Sequence, residues 1–543
     1  MRDVGDLFGL FAQGAARSAG RRVTVCSQVR PASLALAEIF AQGQIAGDNL
    51  ARLGIGPGDI VAVQLPAWAE WLVATVGIAR CGAVLLPVVA TYGATELGFI
   101  LRESGAKVLI TPDHFRKGDF RKIVSECGEL PALAHHVVVG SKPSPGTLRW
   151  SELQAQASLV APEPRLPDDL ALLVYTSGTT ADPKGVRHSS RTLIAEIAAM
   201  RWQRRALAHE TVLSPWPPGH IAGAISLMRF LAGDTELVLM DMWDADEATR
   251  LIEKHRVNSC SLTPYHLHGL LDSADRHGRD FSSLANCLVG AAPVPGGLVA
   301  RAAERGLRTY RSYGSSEHPT VTSGTPDDPL EKRLTTEGRP MRGSQIAFVD
   351  EAGNFLDDGM VGELVTRGPE LFLGYLDERL NEDAFLPGGW FRTGDIGRAD
   401  ADGYLLITDR KKDVIIRGGE NISSREVEEI LFSHPDIVEA AVVAAPDERL
   451  GEIVRAYVVA RPGAEPTLRS IAAHFAAAGT ARAKTPEQLV IVADFPRNAT
   501  GKVLKHALRQ QARAENQARP TSSGKKDVGR MPPGYTTERL RQN

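Results

Sequence analysis

Residues 175–185, Tyr-Thr-Ser-Gly-Thr-Thr-Ala-Asp-Pro-Lys-Gly, gather five hydroxyl side chains, two glycines and a lysine. Glycines let backbone N–H groups approach a ligand closely, hydroxyls add donors, and the lysine ammonium adds a mobile positive charge. Together they suit a polyphosphate. The G-x-x-x-x-G-K-[ST] spacing of a Walker A loop is absent from the stretch. An apolar run at 168–175 precedes it and helical spacing follows at 191–200, so it reads as a loop between strand and helix, where phosphate-binding loops commonly lie. Taken alone, the same composition also describes a flexible Ser/Thr/Gly surface loop.

Such a loop needs a scaffold. A chain of 543 residues with 43% hydrophobic and 23% charged side chains is long enough for at least two cores. From about 30 to 400, apolar runs such as 60–66, 106–111 and 236–240 alternate with helical stretches such as 70–84, which predicts parallel sheets covered by helices. Beyond about 340 the pattern turns to short strands joined by Gly and Asp turns, which predicts a small β-barrel or sandwich. A charged segment at 409–423 leads into a capping-box-like start at 423–435 and a new strand, the signs of a fresh small α/β unit. The expected organisation is therefore an α/β fold. Residues 1–409 form a large N-terminal domain of parallel-sheet subdomains plus the barrel, 410–515 a small mobile C-terminal α/β domain, and 516–543 a disordered tail.

The net charge of −3 points away from nucleic acid and acidic membrane surfaces and toward small ligands. Cys26, Cys81, Cys127, Cys260 and Cys287 show no C-x-x-C pair, which predicts reduced thiols, no zinc and a cytoplasmic setting. The N-terminus has no signal-peptide core, and no apolar run reaches membrane-spanning length. The sequence leaves the oligomeric state open, a homodimer included.

Four further motifs lie downstream: Tyr-Gly-Ser-Ser-Glu at 313–317, Gly-Trp-Phe-Arg-Thr-Gly-Asp at 389–395, the 409–423 segment, and Pro-Arg-Asn-Ala-Thr-Gly-Lys at 496–502. With the 175–185 loop they resemble, in order and spacing over roughly residues 30–510, the acyl-adenylate-forming enzymes: acyl-CoA synthetases, stand-alone adenylation domains and beetle luciferases. The resemblance implies ATP, Mg²⁺ and coenzyme A. In that chemistry a carboxylate attacks the α-phosphorus of ATP to give acyl-AMP and pyrophosphate, and a thiol then displaces AMP.

By this resemblance Thr176, Ser177, Gly178, Thr179, Thr180 and Lys184 hold the β- and γ-phosphates, with Ala181 where many relatives carry glycine. Tyr313 stacks on adenine above the small-residue turn Gly290, Ala291 and Ala292. Gly314, Ser315 and Ser316 complete the nucleotide loop, and Glu317 is the magnesium-linked carboxylate. Asp395 accepts from the ribose hydroxyls and Arg410 gives a second ribose contact. Lys502 reaches in from the small domain to bridge substrate carboxylate and α-phosphate, and His220 joins Lys502 and Glu317 among the catalytic candidates. Lys412 is the hinge, Gly418 and Gly419 line the path of coenzyme A, and Ser424 stands where proline is frequent.

The function implied is an ATP-dependent acid:CoA ligase. The alternatives are an adenylating enzyme that passes its acyl group to a carrier protein, a luciferase-like oxygenase, and a nucleotide sensor without catalysis, which has no use for a mobile lysine. The acyl pocket is expected from His220, Ile221, Ala222, Gly223, Gly290, Ala291, His318, Pro319 and Val321. No carboxylate stands in 217–223, where amino-acid-activating relatives keep one for the ammonium, so an apolar acid, medium-chain or alicyclic, is expected. His220 and His318 are read either as a gate beside the thiol tunnel or as donors to a polar substituent.

Overall fold

The computed structural model describes residues 5–141, 145–156, 165–176, 183–204, 207, 209–517 and 536–539. A seven-stranded sheet contains Ile60–Val63, Val84–Pro87, Val108–Pro112 and Leu170–Tyr175. The first three of these strands are buried along nearly their whole length, because helices cover the parallel sheet on both faces. Two of the covering helices, Leu36–Arg52 and Ala69–Arg80, pack closely. A Cβ on Gly77 would stand 2.9 Å from the Gly47 nitrogen, so the crossing requires glycine.

A nine-stranded sheet has a parallel centre in the order Arg22–Cys26, Glu236–Met240, Thr211–Ser214, Ser259–Leu262, Asn286–Val289 and Thr309–Tyr313. In such sheets ligands bind beyond the carboxyl ends of the strands. Those ends here carry Trp216–His220 after Thr211–Ser214, Gly290–Ala292 after Asn286–Val289, and Gly314–Glu317 after Thr309–Tyr313.

The region beyond 340, where the sequence reading expects a small barrel or sandwich, forms a five-stranded antiparallel sheet whose hydrogen-bonding path stays open. The long strand Trp390–Ala399 is the reason. It pairs with Gly362–Arg367 along one edge, and along the other with Phe385–Leu386 near its start and Leu405–Arg410 further on, with register shifts that bend it. The chain then enters a separate sheet built on Ile437–Asp447 and Gly451–Ala460. The helix Ser424–Phe432 packs on it, capped by the Ser423 hydroxyl accepting from the Glu426 N–H at 3.1 Å.

The segment expected as a structureless tail contributes the strand Thr536–Arg539, antiparallel to Gln488–Ile491. Backbone pairing to an open sheet edge needs no apolar face, so a stretch rich in Pro, Gly, Ser and charge with no apolar period can still supply it. Among the described residues no helix is long and apolar enough to cross a membrane, and the five cysteines are free.

Candidate functional site

A cavity of about 830 Å³ lies at the carboxyl ends of the nine-stranded sheet. Thr176 and Lys184 reach it from the two ends of the hydroxyl-rich loop, and they are tied by the Lys184 N–H donating to Thr176 Oγ1 at 3.2 Å. Ser177, Gly178, Thr179, Thr180 and Ala181 lie outside the described residues. Gly290, Ala291 and Gly314–Glu317 form a second wall. Glycine is required at 314, where a Cβ would meet the Pro319 carbonyl at 1.9 Å. Ala291 adopts φ +61°, a left-handed conformation costly for a residue with a Cβ and characteristic of strained functional turns.

Glu317 has one carboxylate oxygen engaged: Oε1 accepts from Tyr375 Oη at 2.7 Å. The Lys184 ammonium lies 4.9 Å from the centre of the same Tyr375 ring. Tyr375 thus links the phosphate-loop lysine to the metal candidate, a role that nothing in its sequence surroundings announces. His188 was likewise not foreseen. Burial pulls its imidazole down to about 4, so the ring is neutral, and its Nε2 donates to the Ser316 carbonyl at 2.8 Å, fixing the loop that carries Glu317.

Asp395 stands just behind the wall made by Thr393, Gly394 and Arg410. Its Oδ1 accepts from Arg410 Nε at 2.6 Å and its Oδ2 from Tyr313 Oη at 2.5 Å. One lone pair on each oxygen is left for a diol.

Lys502 enters from the C-terminal sheet's side. Its loop is organised by the Asn498 carboxamide oxygen, which accepts from the Thr500 N–H, the Thr500 hydroxyl and the Lys502 N–H at 3.0, 2.7 and 3.0 Å. The loop docks on the large domain through Arg497, whose guanidinium lies 5.0 Å from the Tyr265 ring centre, and through Gly501, where a Cβ would meet Tyr265 Cδ1 at 2.8 Å. Burial, then repulsion from Arg410 and Lys412, pulls the Lys502 ammonium down to about 8 against the opposing pull of Asp395 and Asp413. The charged form is the one that neutralises approaching anions, and it predominates below that value. The kcat/KM for adenylate formation is therefore expected to hold below about pH 8 and fall above it. A flat profile from pH 7 to 10 in a pyrophosphate-release assay contradicts the role of Lys502.

His220 caps the helix Ile221–Leu231 and stacks on Trp216, with ring centres 5.6 Å apart and planes at 24°. Burial, with the Lys502 charge, pulls it down to about 4. Its Nδ1 accepts from the Ala222 N–H at 3.3 Å, which leaves the proton on Nε2.

Several expected residues are elsewhere. His318 does not line the cavity: it is fully buried behind the wall, with Nδ1 3.1 Å from Thr366 Oγ1 and Nε2 3.3 Å from Ser344 Oγ. Gate and donor readings for His318 are therefore set aside, and its place is in the packing under the Glu317 loop. Gly223 serves close packing, since a Cβ there would stand 2.1 Å from the Pro217 carbonyl oxygen, and Ala292 and Val321 are likewise outside the lining. Gly418 and Gly419, at φ +57° and +91°, make the two-residue turn between Ile415–Arg417 and Glu420–Ile422, also away from the cavity. Lys412 does line it. Ser424 proves structural: its N–H donates to Asp409 Oδ2 at 2.8 Å and its hydroxyl accepts from Lys505 Nζ at 3.1 Å.

A strand-end cavity walled by small-residue turns, with a lysine delivered by a second α/β unit, is the architecture of an adenylate-forming enzyme. The chain belongs to the AMP-binding enzyme family, whose main model matches residues 11–376 and whose C-terminal domain model matches 426–502. It is 36% identical over 466 residues to the medium-chain fatty-acid–CoA ligase of Escherichia coli, covering 84% of this chain and 82% of that one. It is 35% identical over 481 residues to the 3-[(3aS,4S,7aS)-7a-methyl-1,5-dioxo-octahydro-1H-inden-4-yl]propanoyl:CoA ligase of Mycobacterium tuberculosis, covering 86% and 91%. Among solved structures, o-succinylbenzoate CoA synthetase of Bacillus subtilis in complex with its acyl-adenylate superposes with a TM-score of 0.79 at 27% identity, over 92% of this chain and 97% of that one.

Proposed function

We propose that the protein is an ATP-dependent acid:CoA ligase that forms acyl-AMP and then acyl-CoA from a largely apolar carboxylic acid, medium-chain or alicyclic. The observation that carries this reading is Lys502 seated in the cavity opposite the nucleotide wall. The two relatives named for a medium-chain fatty acid and for a bicyclic propanoate support the substrate class.

Thr176 and Lys184 hold the outer phosphates, Asp395 and Arg410 the ribose, and Lys502 stands between the incoming carboxylate and the α-phosphate. The carboxylate oxygen bonds to the α-phosphorus as the bond to pyrophosphate breaks, and the Lys502 charge removes the repulsion between the two anions. A thiolate then attacks the acyl carbon and AMP leaves. Neutral His220, stacked on Trp216 with its proton on Nε2, lines the same cavity.

Mg²⁺ fits Glu317. That side chain has an oxygen not used by Tyr375, and no group of three or more potential metal-ligating side chains exists among the described residues, so the phosphates would supply the other ligands. Bound there, the ion would neutralise phosphate charge. The junction at 409/410 separates the proposed N-terminal domain from the mobile C-terminal domain of 410–515, and the free cysteines support a cytoplasmic setting.

The test is product analysis with hexanoate, cyclohexanecarboxylate, benzoate, palmitate and phenylalanine. AMP and pyrophosphate are expected in equal amounts, with AMP release requiring coenzyme A. Formation of ADP and phosphate overturns the ligase reading, and a preference for phenylalanine overturns the pocket reading.

A further inference from the structure

The acyl cavity changes character along its length. Beyond His220, the helix Ile221–Leu231 lines it with Ala222, Ile225, Ser226 and Arg229, residues three and four apart and hence on one face. At about 1.5 Å of rise per residue, Arg229 stands about 13 Å beyond His220. Ile225, Met200 and Val212 make the middle apolar.

The far end is charged and buried. Arg204 and Arg229 share Glu210, with Arg204 Nη1 donating to Oε1 at 2.7 Å and Arg229 Nη2 to Oε2 at 2.6 Å, and all three side chains are almost fully buried. Glu196, from the facing helix Ser190–Gln203, also lines the cavity and lies within electrostatic reach of Arg229. Its Oε1 accepts from Thr320 Oγ1 at 2.6 Å. Glu196 Oε2 and Arg229 Nε have no hydrogen-bond partner among the described residues. Burial pushes the Glu196 carboxyl up to about 7, so at neutral pH a large fraction of it is protonated and able to donate. A purely apolar substrate tail would leave these groups without partners, an arrangement that native interiors avoid.

We infer that this end of the cavity receives an uncharged carbonyl oxygen carried on the far side of the substrate's ring or chain. The inference rests on the acid:CoA ligase reading and narrows its substrate class to keto acids with an apolar middle. Electrostatics favour a neutral group: Glu210 already answers the two guanidinium groups at this end, and Glu370, within electrostatic reach of Glu196, adds a further carboxylate that opposes a second substrate carboxylate. The carbonyl oxygen would accept from the Glu196 carboxyl proton or the Arg229 guanidinium.

The experiment measures kcat/KM for pyrophosphate release by the full-length enzyme on matched acids: octanoate against 7-oxooctanoate, 3-cyclohexylpropanoate against 3-(4-oxocyclohexyl)propanoate, and octanedioate as the anionic control. Each keto acid is expected to exceed its parent by about tenfold or more. Glu196→Leu should bring that ratio toward one, and Glu196→Gln, whose amide still donates, should retain part of it. A wild-type ratio at or below one overturns the inference even if no variant folds. A preference for octanedioate overturns it in favour of an anion site, and equal losses on both members of a pair in Glu196→Leu reduce Glu196 to a structural role and overturn it as well. Absence of release with every acid overturns the ligase reading itself and this inference with it, an outcome distinct from release without keto preference.

Discussion

Lys502→Ala is expected to slow acyl-adenylate formation by roughly 10²- to 10³-fold, the effect of losing one group aimed at developing transition-state charge, while thioester formation from supplied acyl-AMP stays largely intact. The loop should survive the substitution. Its shape is set by the Asn498 N–H donating to the Lys502 carbonyl at 3.0 Å, by the Asn498 carboxamide, and by Gly501 at φ +83° against Tyr265, none of which uses the Lys502 side chain. The loss should fall on kcat rather than on the KM for ATP, because the residues proposed to hold the ribose and outer phosphates are other ones. Pyrophosphate release and thioester formation, assayed separately, check this. Equal losses in the two half-reactions would mean that Lys502 supports the fold rather than one chemical step.

Several cavity-lining positions were legible because they state local backbone needs in local sequence: Thr176 and Lys184 at the two ends of a hydroxyl-rich loop, the Gly314 turn, and Lys502 after a Gly-containing loop. Residues that act across long separations were silent. Glu196, Arg204 and Arg229 sit on helices with ordinary spacing, and only the packing of those helices around one cavity turns them into a polar terminus. Tyr375 and Glu317 are 58 residues apart, and His188 and Ser316 are 128 apart, so neither contact leaves a periodic trace. His318 illustrates the reverse error. Its nearness in sequence to Glu317 drew it into the pocket, but at that turn the next side chain points to the opposite side, into Thr366 and Ser344. The fold class was readable from alternation alone, whereas the open edge of the five-stranded sheet depends on how one long strand divides its partners.

Lys412→Pro is expected to produce the opposite pattern to Lys502→Ala. Arg410, the first residue of the proposed small domain, is tied back to the large domain through Asp395 at 2.6 Å, whereas Asp413 accepts from Arg509 Nη1 at 2.5 Å and so moves with the last helix of the small domain. Any rotation between the two must therefore be taken up at Lys411 and Lys412, within the tight turn in which the Arg410 carbonyl accepts from the N–H groups of both Asp413 and Val414. The proposed two-step reaction calls for such a rotation, since Gly418 and Gly419, the proposed coenzyme A path, stand outside the cavity while Lys502 is inside it. Proline at 412 holds its own φ near −65° and drives residue 411 out of the helical region, removing the freedom that a hinge spends. Thioester formation from supplied acyl-AMP should fall by roughly tenfold or more, with pyrophosphate release changed by only a few-fold. Full thioester activity in Lys412→Pro would show that both half-reactions proceed without turning the small domain, and would return the Gly418–Gly419 turn to the status of a surface hairpin.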